Sequence, residues 1–277
     1  MGLFENEIFM NYVLPVLAFA FLGVMGGIVL TVAAKVFFVK TDTTVAAVNA
    51  VLPGINCAAC GFTGCEGYAK SVAAGESPPT FCKPGGDKVV QEISAVLGIE
   101  AAAVEREVAY IHCNGDCNAT TDKYAYNGTP SCAAVIKYYN GMNSCKHGCA
   151  GFGDCKEVCD YDAIEIVNGV AKVNMAKCIA CLVCVKKCPT NLISLRRVSR
   201  TVNVACSSTD PGKATIAACK NGCIACKICE KKCPEDAIHV VNNLAVIDNE
   251  KCTNCGVCVK ACPKKCIHKL EVCPEVS

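Results

Sequence analysis

Between Cys223 and Pro263, eight cysteines fall in two runs of identical spacing: Cys223, Cys226, Cys229 and Cys233 before Pro234, and Cys252, Cys255, Cys258 and Cys262 before Pro263. Each run reads C-x-x-C-x-x-C-x-x-x-C-P. Three closely spaced thiolates can wrap one face of an iron-sulfur cubane, and in a double run the fourth cysteine reaches across to the other cluster. The expected sets are therefore Cys223, Cys226 and Cys229 with Cys262, and Cys252, Cys255 and Cys258 with Cys233. Zinc sites place their cysteines as separated pairs, which a triplet does not match. Full disulfide pairing is excluded by the odd count, 27 cysteines in 277 residues. Cluster thiolates also persist where thiols stay reduced, which places the cysteine-rich part on the cytosolic side.

The pattern recurs upstream as an internal repeat. The stretch Cys145-Lys-His-Gly-Cys149-Ala-Gly-Phe-Gly-Asp-Cys155-Lys-Glu-Val-Cys159 aligns without a gap on residues 219–233, so that Cys149, Cys155 and Cys159 fall on Cys223, Cys229 and Cys233. Two departures stand out. Phe152 occupies the place of Cys226, and Asp160 follows Cys159 where a proline is usual. Cys145, about one helical turn from Cys149, is expected to supply the missing thiolate. With Cys178, Cys181, Cys184 and Cys188 before Pro189 as the partner run, the expected sets are Cys145, Cys149, Cys155 and Cys188, and Cys178, Cys181, Cys184 and Cys159. Residues 145–198 and 219–270 thus read as two tandem bacterial-type two-cluster ferredoxin units, separated by a linker at 199–218 whose Ser207, Ser208, Pro211 and Gly212 suggest freedom to swing.

A third pattern, Cys57, Cys60, Cys65 and Cys82, supplies one further complete set within a small four-cysteine domain, residues 41–111. Gly61 and Gly64 let its backbone pass close to a cluster. A zinc ribbon is disfavoured because the second pair is widely split. The total is five [4Fe-4S] clusters. Cys113, Cys117, Cys132, Cys206, Cys219, Cys266 and Cys273 remain, with Cys113 and Cys206 in equivalent places ahead of their repeats. A sixth cluster from Cys113, Cys117, Cys132 and one of Cys206 or Cys219 is conceivable, but no compact spacing supports it, and buried free thiols are the expectation. His112, His147, His239 and His268 read as ordinary surface or packing residues.

The elements that position these cysteines are short. Asn168-Gly169 between alternating apolar residues signals a two-residue hairpin, and Asn242-Asn243 marks its counterpart. Each unit should be two hairpins and two short helices around its clusters, an α+β arrangement. Residues 87–97 carry apolar positions at helical spacing up to Gly98, a second short helical run follows to 111, and residues 112–144 form a cysteine-containing connector. From Tyr12 to Ala34 no charged residue occurs; as a helix this run is about 34 Å long, enough to cross a bilayer once. Residues 1–40 are thus a membrane anchor. Glu5 and Glu7 before it and Lys35 and Lys40 after it place the N-terminus outside and the clusters in the cytoplasm. Gly23, Gly26 and Gly27 offer a face for another membrane helix.

Charge is uneven. Residues 1–144 carry 8 basic and 12 acidic side chains, residues 145–277 carry 19 and 13, so the cluster-rich half suits an acidic redox partner. There is no G-x-G-x-x-G, Walker loop or G-x-S-x-G, hence no sign of a nucleotide, flavin or nucleophile site, and no nucleic-acid partner is expected. The chain reads as an electron carrier.

The order of parts, one membrane helix, then LPG-x-N-C-x-x-C-G-x-x-G-C-x-x-Y-A at residues 52–69, then ferredoxin repeats, resembles the B subunit of the Rnf complexes, ion-translocating ferredoxin:NAD+ oxidoreductases, in the longer form of anaerobes. The resemblance spans almost the whole chain. It implies a subunit of the cytoplasmic membrane that takes electrons from soluble reduced ferredoxin and passes them to membrane and peripheral partner subunits, coupled to Na+ or H+ export, with no complete active site of its own. An electron-input or redox-sensing subunit of another membrane enzyme, such as a hydrogenase or formate dehydrogenase, is the alternative; the LPG motif is not expected there.

Overall fold

The computed structural model describes residues 12, 14–36 and 43–270, in two units divided between Thr43 and Thr44. The first contains α1 (Leu14–Val36). Its apolar side chains point outward, with Phe19 75% and Leu30 72% exposed. A helix apolar all round suits lipid rather than water, and Val16–Ala33 is long and apolar enough to span a membrane. The Thr31 hydroxyl donates to the Gly27 carbonyl at 2.7 Å, so this hydroxyl is satisfied within the helix. The flanking Glu5, Glu7 and Lys40, on which the orientation rests, lie outside the described residues.

In the second unit, α2 (Thr43–Val51), α3 (Cys65–Ala73), a 3-10 turn (Pro79–Phe81) and α4 (Gly86–Leu97) enclose one core. Val48, Leu52, Tyr68, Ala69, Val72, Val89 and Ile93 are buried in it. α4 stops at Gly98, whose left-handed backbone (φ 66°) suits glycine.

The next element corrects the sequence reading. Residues 107–111 are not helical but form β1 (Glu107–Ile111), which pairs antiparallel with β4 (Ile193–Arg197). The run Val-Ala-Tyr-Ile is short and rich in strand formers, and Val108, Ala109 and Ile111 are buried against the first ferredoxin unit. Its counterpart, β5 (Val202–Val204), pairs with β8 (Ile267–Lys269). The stretch expected to be a swinging linker therefore contains β5 and α8 (Gly212–Ala218), and Val202, Val204, Ser208 and Thr215 are buried. Serine, proline and glycine here serve a packed turn. The Ser208 and Thr215 hydroxyls lie 3.2 Å apart, and Thr215 donates to the Asp210 carbonyl.

The hairpins fall where the turn residues indicate. β2 (Ile164–Val167) and β3 (Val170–Val173) turn at Asn168 and Gly169, and β6 (Ile238–Val241) and β7 (Leu244–Ile247) at Asn242 and Asn243, all four with positive φ, as a type I′ turn demands. The described sheets are all two-stranded. Short helices α6 (Asp154–Glu157), α7 (Val183–Lys187), α9 (Ile228–Lys232) and α10 (Val257–Ala261) complete the two units, and α5 (Cys132–Tyr139) lies in the connector.

Candidate metal centres

Within each cysteine run the backbone makes the same excursion. The residues on either side of the second cysteine are left-handed: Ala180 and Leu182 around Cys181, Ala225 and Lys227 around Cys226, Asn254 and Gly256 around Cys255. Such a conformation costs a non-glycine residue about 1–2 kcal/mol, and strain of this kind is retained at functional sites. It curls three cysteines around one point and starts the short helix that follows. The irregular run keeps the curl, since Gly151 (φ 79°) and Gly153 (φ 91°) flank Phe152. A Cβ on Gly151 would lie 2.6 Å from the Gly169 carbonyl oxygen, so only glycine fits there. The residue three positions after each run's last cysteine, Asp162, Asn191, Asp236 or Lys265, is also left-handed. Asp160 therefore replaces proline without altering the local path.

These curls bound cysteine-lined cavities. Cys223, Cys226, Cys229 and Cys262, with Cys266 beside them, line one, and Cys233, Cys252, Cys255 and Cys258 line another. In the first unit Cys159 stands with Cys178, Cys181 and Cys184, close enough for its sulfur to act on theirs. Each fourth cysteine thus sits with the other run's triplet. Among the described residues no three His, Cys, Asp or Glu side chains converge tightly enough for a single ion; the thiols surround a volume, which matches a multi-atom cluster better than zinc.

The remaining first-unit cavity is lined by Cys149, Cys155 and Cys188, and its fourth cysteine is Cys132. The structure does not bring Cys145 there. Cys145 lines a separate cavity with Cys113, Cys206 and Cys219. The physical reason lies in Asp154. Its buried carboxylate accepts from the Cys132 and Ala133 backbone N–H groups at 2.6 and 3.0 Å and from the Ser131 hydroxyl at 2.9 Å, while Ser131 caps α5. This anchors the start of α5 beside Cys155. Phe152, in the vacated cysteine position, turns instead to Tyr126, ring centres 5.5 Å apart, and packs on Cys132, Val135 and Ala150. Cys132 precedes its set by seventeen residues, outside any local spacing, and its only sequence signal is the Ser-Cys start of a helix.

Cys57, Cys60, Cys65 and Cys82 are also brought together: burial pushes the Cys82 thiol up, and the nearby sulfurs of Cys65, Cys60 and Cys57 add to it. Tyr68, fully buried, ties the site shut. Its hydroxyl donates to the Pro78 carbonyl at 2.8 Å and accepts from Phe81 N–H at 3.2 Å, locking α3 to the turn that carries Cys82. Asn56 accepts from Cys65 N–H at 2.8 Å, and Gly64 has no room for a Cβ beside that amide.

Family models match three stretches of the chain: an Fe-S cluster model at residues 52–84, a 4Fe-4S binding domain at 171–194 and a 4Fe-4S dicluster domain at 222–266. Over 239 residues, 86% of this chain and 72% of the relative, it is 39% identical to the B subunit of the Na(+)-translocating ferredoxin:NAD(+) oxidoreductase complex of Acetobacterium woodii. It is 38% identical to the B subunit of an ion-translocating oxidoreductase complex of Methanosarcina acetivorans, covering 83% of this chain and 88% of the relative. A proton-translocating counterpart from Clostridium ljungdahlii is 37% identical, with 88% and 87% covered. The chain belongs to the B-subunit family of ion-translocating ferredoxin:NAD(+) oxidoreductase (Rnf) complexes.

In this Rnf B subunit the thiol environments fit a cluster. Burial pushes Cys155 and Cys184 up to about 12, so these groups stay protonated at neutral pH unless a metal cluster compensates the thiolate charge. Cys262 behaves oppositely: a hydrogen bond from the buried Cys266 thiol, Sγ to Sγ 3.5 Å, holds it down at about 5. The same thiol lowers Cys223. Backbone N–H groups also point at the sulfurs, among them those of Ala109 to Cys178, Leu192 to Cys188 and Ala237 to Cys233, the kind of contact that tunes cluster potential. Of the histidines, His112 bridges the Val204 carbonyl and the Ser194 hydroxyl at 2.9 and 2.7 Å, a packing role. Cys117 is exposed, and Cys273 lies outside the described residues.

Proposed function

We propose that this chain is the membrane-anchored electron relay of an ion-translocating ferredoxin:NAD+ oxidoreductase, receiving electrons from reduced ferredoxin and handing them to partner subunits. The observation that carries it is the series of cysteine-lined sites, the four-cysteine site lying beside the first ferredoxin unit. Cys57 lies near enough to Cys181 for its sulfur to raise the Cys181 thiol beyond the effect of burial, and Tyr161 feels both. The four-cysteine site therefore adjoins the first ferredoxin unit. Bound in these sites, [4Fe-4S] clusters supply one-electron carriers that move no proton.

The chain's own residues do the rest. In this reading Cys57, Cys60, Cys65 and Cys82 hold the delivery cluster. Cys178, Cys181, Cys184 and Cys159, then Cys132, Cys149, Cys155 and Cys188, hold those of the first unit. Cys223, Cys226, Cys229 and Cys262, with Cys252, Cys255, Cys258 and Cys233, hold those of the second. Lys227, Lys231, Lys232, Lys260, Lys264 and Lys265 beside the second unit's cysteines give an acidic ferredoxin a complementary field. α1 holds the chain in the cytoplasmic membrane, clusters inward, because the charge flanks favour that orientation. The single described span carries no acid or base within Val16–Ala33, so ion passage falls to partner subunits.

The test is Cys57→Ala in the assembled complex. Ferredoxin should still reduce the chain's other clusters, seen by EPR, while electron delivery to NAD+ stops. Unchanged turnover would sink the delivery role, and failure of ferredoxin to reduce the wild-type chain would sink the relay.

A further inference from the structure

The cavity that takes Cys145 lies between the two ferredoxin repeats, and each repeat brings it the same pair of cysteines. Cys113 and Cys206 each stand two residues beyond the end of a strand, β1 and β5. Cys145 and Cys219 each stand four residues before the first cysteine of their run.

The hydrogen bonds repeat as well. Cys113 Sγ accepts from Gly115 N–H and Cys149 N–H, both at 3.4 Å. Cys206 Sγ accepts from Ser208 N–H at 3.5 Å and Cys223 N–H at 3.3 Å. In both repeats the donors are the amide two residues on and the amide of the run's first cysteine. Sulfurs of both repeats approach one point, since a Cβ on Gly115 would lie 3.2 Å from Cys219 Sγ and 3.7 Å from Cys113 Sγ. All four cysteines line this one cavity, as the other sets line theirs. Between the repeats Asp210 accepts from Lys146 at 2.9 Å and faces His147 at 3.4 Å.

We infer that Cys113, Cys145, Cys206 and Cys219 hold a sixth [4Fe-4S] cluster, two thiolates from each repeat, which joins the two ferredoxin units into one conductor. The inference rests on the relay reading for its role. Cys149 and Cys223 place their thiols in the flanking sites and their amides on the seam sulfurs, so the seam is one residue away from each neighbour. Passage through it is one-electron exchange: as the seam cluster is reduced its neighbour is oxidised by the same electron, with no bond made and no proton moved. Four thiolates could also bind zinc, and the experiment separates the two.

The full chain is purified without oxygen, and iron, sulfide and zinc are counted alongside redox-titrated EPR. Wild type should hold about 24 iron and 24 sulfide, six four-iron clusters. Cys113→Ala/Cys206→Ala and Cys145→Ala/Cys219→Ala should each lose about four of both and one EPR-active centre, while Cys117→Ala loses none. About 20 iron in wild type, left unchanged by the double substitutions, would overturn the inference. So would one zinc per chain lost from the double variants. If these variants fail to accumulate, the wild-type count and the EPR of Cys206→Ser decide: an altered signal of one centre supports the site, an unaltered spectrum refutes it. Failure of ferredoxin to reduce a chain that contains about 24 iron would tell against the relay and leave the site standing.

Discussion

Removing the Asp154 carboxylate should cost this chain a cluster without touching a cysteine. The side chain is buried and accepts three hydrogen bonds, from Cys132 N–H, Ala133 N–H and the Ser131 hydroxyl. Hydrogen bonds to a charged group contribute about 1.5–3 kcal/mol each, and a buried donor left unpaired costs about 1–3 kcal/mol. The three share one acceptor and are not additive, so Asp154→Ala is expected to destabilise the first unit by about 3–5 kcal/mol. That is a large part of the total stability of an ordinary domain. Asp154→Asn keeps one acceptor oxygen and should lose about half as much. Ser131→Ala removes a single contact and a cap, about 1 kcal/mol. Denaturation of the purified chain, followed by loss of cluster absorbance, measures the order Ala, Asn, then Ser131→Ala, and iron analysis should find about four fewer iron in Asp154→Ala. Full iron content with a midpoint within about 0.5 kcal/mol of wild type would refute the claim that Asp154 positions Cys132.

Three further outcomes follow from other contacts. Tyr68→Phe strips the hydroxyl that bridges Pro78 and Phe81; loss of the four-cysteine site's EPR signal on warming should come earlier by about 1–2 kcal/mol, with the other centres unaffected. Cys266→Ala removes the thiol that donates its one proton to Cys262. Since such bonds favour the more negative, reduced cluster, the potential of that site should fall by on the order of tens of millivolts, read by redox-titrated EPR. Asp210 is held below its ordinary range, first by the Lys146 hydrogen bond. A carboxyl depressed on folding stabilises above its unfolded value near about 4, and the contribution disappears as pH falls through the lower folded value. Being partly exposed it is worth under about 1 kcal/mol, and acid titrations of Asp210→Asn should show a correspondingly shallower loss of stability.

Local chemistry was legible and distant chemistry was not. The curls at Cys178, Cys223 and Cys252 follow from spacing alone, because three thiolates on one loop must face one centre. The cross-paired fourth cysteines follow from the doubled run, and the hairpins from Asn168-Gly169 and Asn242-Asn243. What escaped lies in contacts between segments far apart in sequence. β1 is a five-residue strand whose partner arrives more than 80 residues later, so periodicity had too few positions to register it. The 202–204 strand hid among serine, proline and glycine. Cys132 reaches its cavity only through the carboxylate of Asp154, and a gap at Phe152 gives no direction in which to look. Cys145 was the nearest thiol in sequence, but residues 145–149 turn it toward the opposite repeat.

The paired arrangement of Cys113 with Cys206 and of Cys145 with Cys219 has a consequence for ancestry and assembly. One repeat alone offers two thiolates, half a coordination sphere, so an ancestral single-repeat protein could close this cavity only by associating with a copy of itself. Fusing the copies in one chain replaces that encounter with an internal one at an effective concentration in about the millimolar range. The seam is then aligned by polar contacts between the repeats, among them Asp210 with Lys146 and His147, His112 with the Val204 carbonyl, and Asn221 with the Asn114 carbonyl. It also makes closure a late event: neither half can be completed until the residues up to Cys219 have folded against those around Cys113.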